Sequence, residues 1–200
     1  MQTKNNFLLL IVFMFSLTIF SINTNAEEMD ISAIKIFVDK EKNTIVGEGA
    51  VKVIGYGGQI ITADKVTYEK SKELLLAEGS VKITDPKGNV LKTQKAIYNK
   101  KNEIISSDQD SIFNDAEGNI VMVTMFQYNL KENLFSSVGK IKVKDINNNK
   151  YFFKEIYVDT KKKEMVGSDV SVVLDQENFG LTKENDPRFV SNDIFMSEDK

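Results

Sequence analysis

The sequence predicts an all-β fold, an open, twisted array of antiparallel hairpins with about ten strands, and three observations carry that expectation. Val, Ile, Thr, Tyr and Phe dominate the apolar stretches, apolar and polar residues alternate along them, and turn residues interrupt them every ten to twenty positions. A shift of thirty residues aligns the chain with itself without an insertion, giving five blocks: 31 to 60, 61 to 90, 91 to 120, 121 to 150 and 151 to 180. No stretch after Ala26 sustains the 3.6-residue period of a long helix.

The second block shows the unit. Ile61 to Tyr68 forms one strand and Glu73 to Thr84 the next, with Glu69-Lys70-Ser71-Lys72 between them and Asp85-Pro86-Lys87-Gly88-Asn89 after them. Along the second strand Leu75, Ala77, Gly79, Val81 and Ile83 share an apolar face, while Glu78, Ser80 and Lys82 share a wet one. Along the first strand the apolar positions 63, 66 and 68 change parity midway, which predicts a β-bulge in that strand. The same columns hold Ala33, Ile36 and Val38, then Val123, Phe126 and Tyr128, then Phe153, Ile156 and Val158. A shared bulge curves every hairpin alike, so the stacked hairpins enclose an apolar trough along the array.

Turn chemistry repeats with the same spacing. The column Gly58, Gly88, Gly118, Asn148, Asn178 suits a residue held at positive φ, and Asp85, Asp115, Asp145 and Asp175 each stand ready to bond the turn backbone. A further column, Gly49, Gly79 and Gly139, is broken by Gln109 and Asp169.

Residues 1 to 26 form a separate object. Lys4 precedes an apolar run from Phe7 to Ile22, and the small, polar stretch Asn23-Thr24-Asn25-Ala26 follows, which is the pattern of a secretory signal peptide cleaved before Glu27. The run is short for a membrane span, and no Cys follows it to carry a lipid anchor. An exported chain without cysteine relies on burial and strand pairing for its stability.

Composition excludes most chemistry. The 200 residues are 42% hydrophobic and 28% charged, a globular balance, and the formal charge of -3 gives no general attraction to nucleic acid. With neither His nor Cys there is no Ser-His triad, no Cys nucleophile and no conventional zinc site. The segments Asp85 to Asn89 and Asp115 to Asn119 loosely resemble calcium loops. They lack the alternating oxygen ligands and the closing bidentate Glu, so plain hairpin turns explain them. Asp108 and Asp110 read as solvated strand acids, and Gly55-Tyr56-Gly57-Gly58 has no following Lys-Ser or Lys-Thr to make a phosphate loop. The expectation is therefore no enzyme, no catalytic residue, no metal and no cofactor. For the aromatic columns, a sealed core and a lipid-accessible trough both remain open.

The segments Ile61 to Tyr68, Leu76 to Ile83 and Asp85 to Asn89 together resemble the OstA-like family, the periplasmic domain of the lipopolysaccharide transport proteins LptA and LptD. The resemblance covers residues 31 to 178. It implies a β-jelly-roll-like domain over residues 27 to 178 in the periplasm, at or near the outer membrane, that holds lipopolysaccharide acyl chains. The partners it implies are lipopolysaccharide, other OstA-like domains joined by edge strands near Ile31 to Val38 and Glu164 to Leu174, and an outer-membrane barrel component. The polar tail 179 to 200 contains Asn185-Asp186-Pro187-Arg188-Phe189, which resembles the segment ahead of the LptD barrel. A stand-alone LptA-like role and an amino-terminal piece of an LptD-type protein both stay open. On this reading Ile36, Val66, Tyr68, Ile83, Tyr98, Phe126, Tyr128, Phe135, Ile141, Phe153 and Ile156 line the trough. The alternative is a structural or adhesive repeat protein with a sealed core.

Overall fold

The computed structural model describes residues 30–55, 58–175 and 187–197. The leader, the domain boundary at 178 and Asn178 of the turn column lie outside the described residues. All described strands join one antiparallel sheet of fourteen: β1 (Asp30–Ser32), β2 (Lys35–Asp39), β3 (Thr44–Ile54), β4 (Ile60–Glu69), β5 (Leu74–Thr84), β6 (Val90–Asn99), β7 (Ile104–Ser107), β8 (Ser111–Asn114), β9 (Ile120–Val123), β10 (Phe126–Asn129), β11 (Leu134–Lys144), β12 (Lys150–Asp159), β13 (Glu164–Val173) and β14 (Arg188–Ser197). The fold class is all-β, as the period-two pattern predicts.

Fourteen strands and ten expected strands are reconciled by interruption. β1 and β2 lie on successive parts of β3, β7 and β8 on successive parts of β6, and β9 and β10 on successive parts of β11. Each pair is one repeat strand broken in the middle, so the five hairpins account for β1 to β13. β14 then adds a strand beyond the repeats. In the third block, hydroxyl groups occupy the break: Ser107 Oγ accepts the Gln109 N–H at 3.1 Å, Ser111 Oγ donates to the Gln109 carbonyl at 2.8 Å, and Thr93 Oγ1 donates to the Asp110 carbonyl at 3.2 Å.

Each long strand crosses a bend, and the bend divides the sheet into two halves. The front half ends at the Asp85-type turns and contains 51–54, 60–63, 81–84, 90–93, β8 and β9. The back half ends at the Lys70-type turns and contains 65–69, 74–78, 96–99, β7 and β10. The halves face each other: Phe113 of the front half meets Phe126 and Phe135 of the back half, with ring centroids 5.0 and 5.9 Å apart. The core fills the space between them.

The bulge does not sit where the parity change in the first strand predicts. The extra residue belongs to the second strand of the block, where Gly49-Ala50, Gly79-Ser80 and Gly139-Lys140 each oppose a single residue of a neighbouring strand. The reason is conformational. Gly49, Gly79 and Gly139 have φ of 78°, 73° and 111°, a region closed to most side chains, and a Cβ on Gly79 would collide with the Asp64 carboxylate. In the first strand Ala63 and Val66 are both buried because the chain turns from one half-sheet to the other between them. The fifth block has Asp169 at φ 50°, and β12 pairs with β13 without a register shift.

The turn column behaves as its chemistry requires, with Gly58, Gly88, Gly118 and Asn148 all at positive φ. A second positive-φ column, Asn43, Glu73, Glu103, Asn133 and Lys163, also recurs every thirty residues at the opposite turn. Its carbonyls explain the conformation, since those of Asn43, Glu73, Glu103 and Asn133 accept the N–H of Lys70, Lys100, Leu130 and Thr160, one repeat onward.

The edge assignment also changes. Glu164 to Leu174 is not an edge, because β13 is paired with β12 on one side and with β14 along nine registered residue pairs on the other. The outer strands are β1 and β2 at one end and β14 at the other. The polar tail therefore contains a strand, β14, whose Ile194 and Met196 are its more buried apolar residues and pack against the core.

Candidate functional site

The Asp turns are built first, because they fix the front rim. Asp85 Oδ1 accepts the N–H of Lys87 at 2.9 Å and of Asn89 at 2.8 Å, and Asp85 Oδ2 accepts from Asn89 Nδ2 at 2.8 Å. Asp145 repeats this with Asn147 and Asn149 and also accepts from the Tyr151 hydroxyl at 3.1 Å. Burial, then the neighbouring Asp145 charge, holds the Tyr151 phenol far above its usual range. The Asn carries the contact onward: Asn89, Asn119 and Asn149 Oδ1 accept the N–H of Ala116, Ile146 and Asp175, each in the next repeat's turn. The Asp column thus serves turn geometry, and among the described residues no three His, Cys, Asp or Glu gather as a metal group.

With both rims fixed, the interior among the described residues carries an apolar feature suited to a ligand. A cavity of about 80 Å³ lies between the half-sheets. Val53, Ile61, Ile83, Leu91 and Phe113 line it from the front, and Leu75, Ala77, Ala96, Tyr98, Phe126 and Tyr128 from the back. A small residue helps create it: Ala96 stands in a core column where the neighbouring blocks carry Val66 and Phe126. Ile61, Tyr98, Ile105 and Leu130 line it and are only partly buried, so the cavity is less covered on their side. The Tyr128 hydroxyl lies 3.1 Å from Thr160 Oγ1, and burial raises its pKa, with the Thr160 bond opposing.

Of the eleven residues assigned to the trough from sequence, Ile83, Tyr98, Phe126 and Tyr128 line this cavity. Val66, Phe135, Ile141, Phe153 and Ile156 are buried in the core away from its wall, and Tyr68 packs at the core margin. Ile36 is 49% exposed on edge strand β2. Sequence reading passed over Leu75, Ala77, Leu91 and Ala96, because an aromatic column draws the eye to the wall's largest members. The available signal was the run of small residues opposite them.

No residue of β11, β12 or β13 lines the cavity. It stops at Phe113, Phe126 and Phe135, whose rings form a cluster with centroids 5.0 to 6.0 Å apart. Beyond that cluster Ile141, Val143, Ile156, Val158 and Met165 are at most 2% exposed.

No protein-family model matches this sequence, and neither does any curated protein. Among solved structures the chain is similar to LptH from Pseudomonas aeruginosa, described as the LptA homologous periplasmic component of the conserved lipopolysaccharide transport device. The two share 15% sequence identity, the match covers 82% of this chain and 96% of that one, and the TM-score is 0.31.

Proposed function

We propose that this chain is a periplasmic, non-enzymatic carrier that holds lipid acyl chains between its two half-sheets and serves lipopolysaccharide transport to the outer membrane. The observation that carries the reading is the apolar cavity lined from both halves, with partly buried Ile61, Tyr98, Ile105 and Leu130 among its lining. The repeat pattern's resemblance to the OstA-like family supplies the lipid class. Each methylene moved from water into such a wall contributes about 0.8 kcal/mol, so ten of them drive binding by about 8 kcal/mol with no charged site. At about 80 Å³ the cavity is smaller than a whole acyl chain. Uptake therefore requires the half-sheets to part between the two rims, whose hydrogen bonds run along each rim from repeat to repeat and not across from one to the other.

The partners follow from the same reading: lipopolysaccharide in the cavity, and other domains of the same architecture pairing with β1, β2 or β14. Phe37, Val38, Phe189, Val190 and Phe195 are more than half exposed on these outer strands, which suits strand addition.

Photo-crosslinking side chains at Ile83, Tyr98, Phe126 and Tyr128 are expected to capture lipopolysaccharide, and those at Lys82 and Lys142 on the outer face are not. Equal labelling of both sets sinks the assignment. The second reading, a structural repeat protein with a sealed core, draws on the tightly filled region beyond Phe135. A chain that purifies without lipid and ignores an acyl-chain probe decides for it.

A further inference from the structure

The outer faces of the two half-sheets differ in their electrostatics. On the back, signs alternate: Lys65 lies opposite Glu48 and Glu78, Lys95 lies opposite Glu78, and ion pairs join Lys65 to Glu48 at 3.1 Å and Lys95 to Asp108 at 3.2 Å. On the front, Lys52, Lys82, Lys92, Lys142, Lys144 and Lys150 point outward, and Arg188 joins them on β14. From β3 to β14 the described front face has no acid, and Asp30 on edge strand β1 is its single carboxylate. None of the six lysines meets a carboxylate at ion-pair distance among the described residues.

Two of the front contacts work against the fold. Lys82 is registered directly opposite Lys92, and Lys144 directly opposite Lys150. Like charges across a strand pair destabilise a sheet, and the alternation on the back face shows the sequence avoiding the same fault there. Between the two lysine pairs Ile112 lies opposite Met122, and Phe152 follows on the far side of Lys142. Ile112, Met122 and Phe152 are 39%, 38% and 36% exposed.

We propose that the front face is a docking surface for an anionic lipid bilayer, with the lysines among the phosphate headgroups and Ile112, Met122 and Phe152 at the interface. Charge complementarity selects that occupant. The chain as a whole is negative at -3 and has no general attraction to phosphate, so what distinguishes the front face is that its strand lysines face no acid, whereas Lys65 and Lys95 on the back are paired. A sheet surface mixing lysine with aliphatic and aromatic side chains suits a headgroup layer, where lysine stems and apolar groups share the boundary. This site is separate from the interior cavity and stands whether or not that cavity takes lipid.

The test exploits the conflict between stability and binding. Lys82→Glu and Lys150→Glu, combined in one chain, turn both like-charge pairs into opposite-charge pairs. The exported chain is mixed with vesicles of phosphatidylglycerol and phosphatidylcholine in equal parts, or of phosphatidylcholine alone, and sedimented. Wild type is expected to bind the anionic vesicles preferentially and to release them at about 1 M salt, where screening acts within about 3 Å. The double variant is expected to bind at least about tenfold more weakly while its Tm stays equal or rises. Equal binding to both vesicle types, unaltered binding by a folded variant, or retention by soluble polyglutamate without vesicle binding overturns the proposal. A control exchange on the back face, Lys95→Glu, is expected to leave vesicle binding unchanged, and a loss equal to that of the front variant counts against the site.

Discussion

The stretch from β3 to β10 and the stretch from β11 to β13 share one repeat backbone and differ in what fills it. One core column runs Ala63, Thr93, Val123, Phe153, and another runs Val66, Ala96, Phe126, Ile156. Side-chain volume grows toward the carboxyl end in the first column, and in the second it drops to a minimum at Ala96 before the large Phe126 and Ile156. The first stretch accordingly encloses a cavity, and the second is solid, with Phe135, Ile156 and Val158 at 0% exposure. The lesson is that backbone repetition sets the container while side-chain volume decides its contents, so hollow and packed units coexist in one array.

That contrast is open to attack by substitution, and the largest effect belongs to the packed side. Phe135→Ala removes a fully buried ring at the boundary cluster and is expected to lower stability by about 3–5 kcal/mol in urea denaturation. A loss under about 1 kcal/mol would mean that the packed stretch is as loose as the hollow one. On the hollow side, Ala96→Leu grows into the cavity. It is expected to escape the usual overpacking cost of about 1–3 kcal/mol and to weaken uptake of an acyl-chain probe about tenfold. Should the variant instead lose stability like an overfilled core, the cavity is not available space.

Alkaline pH separates the two stretches more gently. Tyr151 in the packed stretch has a raised folded-state pKa, so its contribution is present in full below the unfolded value near 10 and is lost as pH rises above it. Melting curves from pH 8 to 11 are expected to fall less steeply for Tyr151→Phe than for wild type; parallel curves refute the assignment. The smallest effect is a gain. Asp169 holds a positive φ that glycine holds in the corresponding column of three other blocks, and Asp169→Gly is expected to add about 1 kcal/mol. No gain, or a loss, would show that its exposed ion pair with Lys154 at 3.4 Å outweighs the backbone strain.

Legibility followed the physical origin of each feature. The strands and their antiparallel order were readable because burial on one face imposes a period of two. The front turns were readable because Asp85, Asn89 and their counterparts act through side chains, which leave a mark in the sequence. The back turns were not. There the linking bond is made by the main-chain carbonyl of Asn43, Glu73, Glu103 or Asn133, and a carbonyl belongs to every residue. The bulge was placed in the wrong strand because parity change and insertion look alike in one dimension, although the glycine column pointed to the right one. Within the site, the aromatics were visible, whereas Ala77 and Ala96 matter for volume they do not fill.

Both rims are laced across the same interval, on the front by Asn side chains and on the back by the main chain, and each lace reaches only the next repeat. Contacts of that reach make the molecule a one-dimensional polymer of hairpins, whose melting begins as fraying at the ends. They also make it tolerant of recounting. Excising one thirty-residue block would rejoin Asn to turn and carbonyl to amide with every partner replaced by its equivalent, so the number of hairpins can drift by duplication or loss while the joints remain intact.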